Sequence, residues 1–479
     1  MKRTALIIVL LMVMIASCFA FVACDKPSEG LSYKLTPGGD SYYLTGIGTC
    51  ADEHIVIPST YEEKPVVIIS NGAFRGCDGI VRVTIPNSIT HIAYNAFANC
   101  SNLKSVVFEK GSQLISIYDD AFNNCTSLTD IKIPNEVTDI GSGAFSNCAS
   151  LKSISIPSSV TSIGISAFED CAKLKSVIFE KGSQLTTIGS HAFSGCTNLT
   201  AIKIPQGVTT ITNSVFSGCS ALKSVSIPEG VTTINSQAFR GCTSLTSITI
   251  PSSVIECSNV AFYECTNLEN IVVDENNQMY QSIDGNLYSK DGQILMLYAQ
   301  GKTNTSFTIP SGVTSVSASA FYSCTNLTSI TIPKSVTSVS ASAFAHCTAL
   351  VNVIVEEDHY HYKTIDGNLY SKDGKTLILY LPGKTDTSFV IPSGVTKISA
   401  SAFENCTSLS SVTIPSSVTS IGFAAFNGCT NLSSVIFEDP DGWFVADGQI
   451  GGTSVTLTDP SRNATYLNDR YSYCTWQKY

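Results

Sequence analysis

Charge is scarce in this chain. Only 14% of its 479 residues are Asp, Glu, Lys or Arg, and 38 acidic residues outnumber 28 basic ones for a formal net charge of −10. No basic cluster interrupts that balance, so a polyanion such as nucleic acid is not expected as a partner. The mild acidity is an ordinary solubility device and carries no further functional meaning. Reactive groups are equally thin. Of the six histidines, His54, His91, His191 and His346 stand in separate segments. Only His359-Tyr-His361, beside Glu356, Glu357 and Asp358, has the composition of a ligand cluster, and its counterpart elsewhere in the chain is Asn277-Gln278-Met279. No paired Cys-x-x-Cys, no phosphate-cradling glycine loop and no Ser/His/Asp order is present. Catalysis needs groups converging on a pocket, so no enzyme activity, metal or cofactor is expected.

What the chain does have is one phrase said many times. Ser153-Ile-Ser-Ile-Pro-Ser-Ser-Val-Thr-Ser-Ile-Gly-Ile-Ser-Ala-Phe-Glu-Asp-Cys171 recurs with small edits. The closing cysteine is the ruler: Cys77, Cys100, Cys125, Cys148, Cys171, Cys196, Cys219, Cys242, Cys265, Cys324, Cys347, Cys406 and Cys429. Most steps are 23 residues, two are 25 and two are 59. A period in this range marks a solenoid whose units have no core of their own and bury their apolar edges against their neighbours. Within one unit Leu151, Ile154 and Ile156 are apolar with Ser155 between the last two, the alternation of a short strand. Pro157 ends that strand, because it has no N–H to give a ladder. Val160 and Ile163 point inward again, Gly164 permits a bend, and Ala167-Phe168 suits a single helical or 3₁₀ turn. Stacking such coils about 5 Å apart yields parallel sheet on at least one face. It also yields a column of phenylalanines: Phe74, Phe97, Phe122, Phe145, Phe168, Phe193, Phe216, Phe239, Phe262, Phe321, Phe344, Phe403 and Phe426.

The repeat breaks its own rule in five places. Eleven units keep Ile-Pro at the strand end, and five place an apolar residue and an acid there: Phe108-Glu109, Phe179-Glu180, Val273-Asp274, Val355-Glu356 and Phe437-Glu438. Losing the proline restores an N–H and lets the strand run into a longer excursion. In the same five units the outward strand residue, usually Ser, Thr or Lys, becomes Val107, Ile178, Val272, Ile354 and Ile436; Val56 and Val390 are aliphatic too, in units that keep the proline. Either each excursion folds over its strand and covers that side chain, or the five form an exposed binding stripe. The two 59-residue steps hold near-copies, Ser282–Tyr298 and Thr364–Tyr380. Each contains an Asp-Gly between apolar runs (Asp291-Gly292, Asp373-Gly374), which predicts a β-hairpin, plus one extra strand in the stack. About 15 coils result, on the order of 70 Å of stack.

The run Leu151-x-x-Ile154-x-Ile156-Pro157-x-x-Val160-x-x-Ile163-Gly164-x-x-Ala167-Phe168-x-x-Cys171, with its copies from about Ile55 to Phe437, resembles the BspA-like (Treponema-type) class of leucine-rich repeats. The resemblance implies a right-handed curved solenoid with a strand-lined face, on a bacterial surface or secreted protein that acts in adhesion and protein binding. It brings no catalytic residues.

The domain plan follows: a signal peptide at 1–23, a tether at 24–30, an N-terminal cap at 31–54, repeats over 55–437 with insertions at about 274–306 and 356–388, and a C-terminal cap at 438–479. Lys2-Arg3 and the apolar run from Ala5 to Ala23 read as an export signal. Phe21-Val22-Ala23-Cys24 resembles a lipobox, which makes Cys24 the expected lipidation site and the membrane an expected contact through that lipid. Cys18 fits the pattern too, but its use would leave an apolar stretch at the mature start. Eighteen cysteines in an exported chain invite disulfides, yet the ladder members occupy one equivalent inward position and read as buried thiols acting as small hydrophobes. Terminal units shield open edges. The expected molecule is a monomeric, lipid-anchored surface protein that binds an extracellular host or microbial protein. A glycan-binding or envelope-spacer role is the alternative, in which Tyr280, Tyr288, Tyr298, Tyr362, Tyr370 and Tyr380 would stack on sugars.

Overall fold

The computed structural model describes residues 26–446 and 453–478. The export signal, Cys18 and Cys24 lie outside these described residues. The repeats form a β-solenoid in which each coil has three sides. The first side is the strand read from the sequence: Ser153–Ile156 pairs in parallel with Ser176–Phe179, residue for residue. Ile154 and Ile156 are buried, and Ser155 faces out. Sixteen such strands succeed one another from His54–Val56 to Ser434–Phe437.

The second side carries a parallel sheet that the sequence reading did not assign. Two-residue strands such as His91–Ile92, Ser116–Ile117, Asp139–Ile140, Ser162–Ile163 and Thr187–Ile188 stack in register. Their isoleucines point inward, between 0% and 3% exposed. Gly164 follows at the corner because an added Cβ would lie 2.4 Å from the backbone nitrogen of Ser142 in the coil before.

On the third side, the expected helical turn gives way to something flatter. Among the described residues only Ala341–Phe344 is a 3₁₀ helix. Elsewhere left-handed residues recur just before Ala-Phe and just before Cys, as at Asn95 (φ 57°) and Asn99 (φ 61°). The alternation turns every second N–H toward the next coil: Asn95 N donates to Asp119 O, Phe97 N to Ala121 O and Asn99 N to Asn123 O, at 2.7–3.1 Å. The intervening N–H groups of Ala96, Ala98 and Cys100 close i→i−3 bonds within their own turn. A helix would spend all these donors internally and leave the coils unlinked on this side. Gly, Asn and Asp, which tolerate that conformation best, take many of the left-handed positions, and Ser takes several others.

The interior is a set of columns. From Phe74 to Phe262 successive phenylalanine rings lie 5.0–5.8 Å apart and within 16° of parallel. Each phenylalanine of the column is at most 1% exposed. The cysteine column beside it does more than fill space. Cys171 Sγ donates to Phe145 O at 3.2 Å, Cys148 to Phe122 and Cys196 to Phe168, so each thiol ties its coil to the one before. These cysteines are free and buried. Burial pushes their pKa up, to about 12 for Cys100, Cys171 and Cys219.

The insertions hold one strand more than the hairpin read from the sequence. Tyr280–Ile283, Asn286–Ser289 and Ile294–Leu297 form an antiparallel meander. Its first turn is Asp284-Gly285, both at positive φ (49° and 72°), the geometry of a two-residue hairpin turn. Its last strand then joins the second sheet, Leu295 opposite Val316, and Ser306–Thr308 resumes the first. Tyr298 takes the place of a phenylalanine: its N–H donates to Ala320 O, as Phe321 N does to Ala343 O. The second insertion repeats this with Tyr380 and Ala402.

At the N-terminal end Tyr42–Gly46 pairs antiparallel with Ser32–Leu35 and heads the second sheet. At the other end Thr475–Lys478 runs antiparallel to Ser420–Ile421 and Trp443–Ala446, which reverses the strand direction and buries Trp443 and Trp476. Among the described residues no helix is long and apolar enough to cross a membrane.

Candidate interaction surface

The first sheet presents its outward residues as a ladder of short side chains, and the five aliphatic exceptions stand out from it. Val107 is 37% exposed, Ile178 57%, Val272 46%, Ile354 45% and Ile436 43%. The excursions therefore do not fold back over their own strands, as one reading of the sequence had it. Nor do the five make a continuous stripe. Register sets Val107 beside Thr84, Ile178 beside Ser155, Val272 beside Thr249, Ile354 beside Thr331 and Ile436 beside Thr413. They recur every three or four coils, about 14–19 Å apart at the strand spacing. Val390, 65% exposed and opposite Thr413, adds a sixth aliphatic two coils before Ile436, and the surface is a row of apolar spots in a hydroxyl-rich field.

In the five units without the proline, the acid that replaces it bonds to the coil before. Glu109 N donates to Ile85 O at 3.0 Å, and Glu180, Asp274, Glu356 and Glu438 do the same to the isoleucine of the coil before. The carboxylate is used as well. Glu109 Oε2 accepts from Asn87 N, Glu356 Oε2 from Lys334 N and Glu438 Oε2 from Ser416 N, at 2.9–3.3 Å. Each receives the first N–H after the preceding coil's proline. The strand thus runs one residue further and pins the neighbouring turn, while its outward aliphatic stays uncovered.

Two of the spots are built alike. Val107 and half-buried Phe108 floor a groove of about 650 Å³ between the Glu109–Ser112 loop and Lys132 of the next coil. Ile178 and Phe179 floor one of about 590 Å³ between Glu180–Ser183 and Lys203. Apolar floor, acid, and a lysine on either side recur in the same order three coils apart. Such an arrangement takes an apolar anchor side chain flanked by polar ones.

The other sequence candidates are accounted for by packing. Tyr280 and Tyr362 are 8% exposed, and Tyr288, Tyr298, Tyr370 and Tyr380 are 1%. None offers a ring face to a sugar; they fill the core of the insertions, and Tyr280 Oη also accepts from Cys257 N at 2.9 Å. His359 is buried, with Nε2 3.1 Å from Pro333 O and Nδ1 accepting from His361 N and Tyr362 N. Asn277 does the same work in the first insertion: its Nδ2 donates to Pro251 O and its Oδ1 accepts from Met279 N and Tyr280 N. The imidazole stands in for an amide, and both its nitrogens serve the backbone. Among the described residues no group of three or more metal-ligating side chains converges.

The model of the BspA type leucine rich repeat region, a unit of six copies, matches residues 49–175, 186–294, 297–386 and 383–441. Two solved structures are similar over almost their whole length. One is a leucine rich cell surface protein from Faecalibacterium prausnitzii A2-165, 28% identical, with a TM-score of 0.50, covering 88% of this chain and 97% of that one. The other is a leucine-rich repeat protein from Bacteroides ovatus, 28% identical, with a TM-score of 0.53, covering 86% and 94%. No curated protein matches.

Proposed function

The chain belongs to the BspA-type leucine-rich repeat family, and from that premise we propose that it is a non-enzymatic protein-binding scaffold displayed on the outside of a bacterial cell. The observation that carries the reading is the row of exposed aliphatics on the first sheet. Five side chains, 37–57% exposed, interrupt a face whose other positions are mostly hydroxyls or lysines. Separated apolar anchors within a polar field match the anatomy of a protein interface better than that of a catalytic pocket. An adhesin role follows if the partner is a host or neighbouring-cell protein.

Display outside the cell is supported by the export signal and by the cell-surface description of the Faecalibacterium neighbour. Anchoring by lipid at Cys24 belongs to the same proposal. Labelling of growing cells with a palmitate analogue is expected to mark the protein, and Cys24→Ala to abolish the mark. Retained label in Cys24→Ala together with its loss in Cys18→Ala would move the site to Cys18.

The binding face is tested by replacing Val107, Ile178, Val272, Ile354 and Ile436 together with serine. The variant is expected to melt where the parent does and to lose saturable binding to a protein captured by the parent from host extracellular extracts. Undiminished binding by a folded variant would remove the first sheet from the account.

A further inference from the structure

A groove of about 620 Å³ opens on the second sheet, near the N-terminal end of the stack and away from the aliphatic row. Its lining is aromatic: Tyr43, His91, Tyr94 and Tyr118. Sheet register makes Tyr43, Ile68, His91 and Ser116 one outward row. Further along, the same row holds Asp139, Ser162 and Thr187. Tyr118 stands at the corner that later coils give to Gly141, Gly164 and Gly189; all four N–H groups donate to the isoleucine of the preceding coil. Most later coils build these positions from small or polar residues, with Ile165 and Phe423 in Tyr94's place as exceptions, and only this end of the stack gathers several rings.

Three of the rings stack on one another. Tyr94 and Tyr118 lie 5.0 Å apart at 28°, and His91 and Tyr118 5.8 Å apart at 16°. Tyr94 is 45% exposed. Thr90 Oγ1 sits 2.8 Å from His91 Nδ1 and fixes that ring. The hydroxyls of Tyr43, Tyr94 and Tyr118 and the amide of Asn71 have no hydrogen-bond partner among the described residues. No Lys, Arg, Asp or Glu lines the groove. Tyr43 to His91 spans two strand spacings, about 10 Å, roughly the length of two pyranose rings.

Aromatic surface beside uncharged donors and acceptors suits a ligand with a C–H face and a rim of hydroxyls. An ionic ligand would find no counter-charge. The geometry points to a binding site for a neutral oligosaccharide on the second sheet. This inference does not rest on the protein-binding reading, because it uses a different face and different residues.

Calorimetric titration of the full-length chain with cellohexaose, maltohexaose and mannohexaose tests it, with a decaproline peptide as the competing class. At least one hexasaccharide is expected to bind saturably. Tyr94→Ala and Tyr118→Ala are expected to weaken it by about ten-fold or more, Tyr94→Phe by less, and the remote Tyr473→Ala not at all. If Tyr118→Ala melts lower than the parent, the Tyr94 pair carries the test alone. Three outcomes overturn the assignment: no hexasaccharide binding up to about 10 mM, a weak-affinity limit; equal loss in Tyr473→Ala; or binding of decaproline in preference to every sugar.

Discussion

At the scale of the residue, burial and a single hydrogen bond decide what each side chain is for. Most of the column cysteines are thiols held off ionisation by burial and used as S–H donors to the phenylalanine carbonyl of the coil before, as Cys148 is. Thiolate is the reactive form, so alkylation of the native protein is expected to spare the thirteen buried cysteines and reach only half-buried positions such as Cys50 and Cys77. Mass spectrometry of iodoacetamide-treated protein, with and without denaturant, checks this; uniform labelling of the native chain would contradict it. His359 carries a pH dependence that its counterpart Asn277 cannot. Burial lowers its pKa from the ordinary 6.5, His361 and Lys372 act the same way, and the Pro333 carbonyl and Glu356 act against them. Protonation would put a hydrogen on Nδ1, which faces two N–H donors. The stability this residue supplies is therefore whole above its unfolded pKa and is lost as pH falls from there through the lowered folded value. Melting temperature is expected to drop as pH falls below the ordinary histidine value of 6.5, and His359→Asn is expected to flatten that drop while leaving the neutral-pH value close to the parent's. An identical drop in His359→Asn would assign it elsewhere.

At the scale of the element, each side of the coil has its own logic, and the sequence reveals them unequally. Strands such as Ser153–Ile156 announce themselves by alternation and a terminal proline. The columns of Phe and Cys follow from the period alone. The second sheet was hidden because a two-residue strand such as Ser162–Ile163 has no alternation to read. The turn side was misjudged because Ala-Phe favours a helical turn locally, while bonding to the next coil rewards alternating left-handed residues. The Asn, Asp, Gly and Ser that flank Ala-Phe were the available signal. Tyr298 and Tyr380 were candidates for stacking on sugars because the insertions interrupt the phrase in which they replace phenylalanine. Whether Val107 and its equivalents were covered could not be read at all, since it depends on where the excursion goes. Two substitutions test the element account. Phe168→Ala removes a ring from the middle of the column and is expected to cost about 3–5 kcal/mol by denaturant unfolding. Ser166 is left-handed (φ 55°), so Ser166→Val is expected to cost about 1–2 kcal/mol, the penalty for a side chain poorly suited to that region. Unchanged stability in Ser166→Val would mean the turn is not left-handed.

At the scale of the molecule, the core is not one column but three in series. The first cluster runs from Leu31 to Leu297, the second from Tyr288 to Leu381 and the third from Tyr370 to Trp476. The meanders stand at the joints, where the ring stack passes from Phe262 to the block beginning at Tyr298, and from Phe344 to that beginning at Tyr380. Solenoid stability is a sum of nearest-neighbour terms, and long arrays depart from two-state unfolding. Separable transitions are expected in denaturant, with Phe168→Ala shifting one and Phe403→Ala another; a single transition moved alike by both would mean the joints transmit fully. The same division of labour assigns the interior to stacking and leaves recognition to the few outward residues that depart from the repeat. All of it depends on like side chains lying one above another. A diffraction structure at side-chain resolution measures this most directly. The account predicts parallel phenylalanine rings 5.0–5.8 Å apart from Phe74 to Phe262, and rings that diverge or have water between them would contradict it.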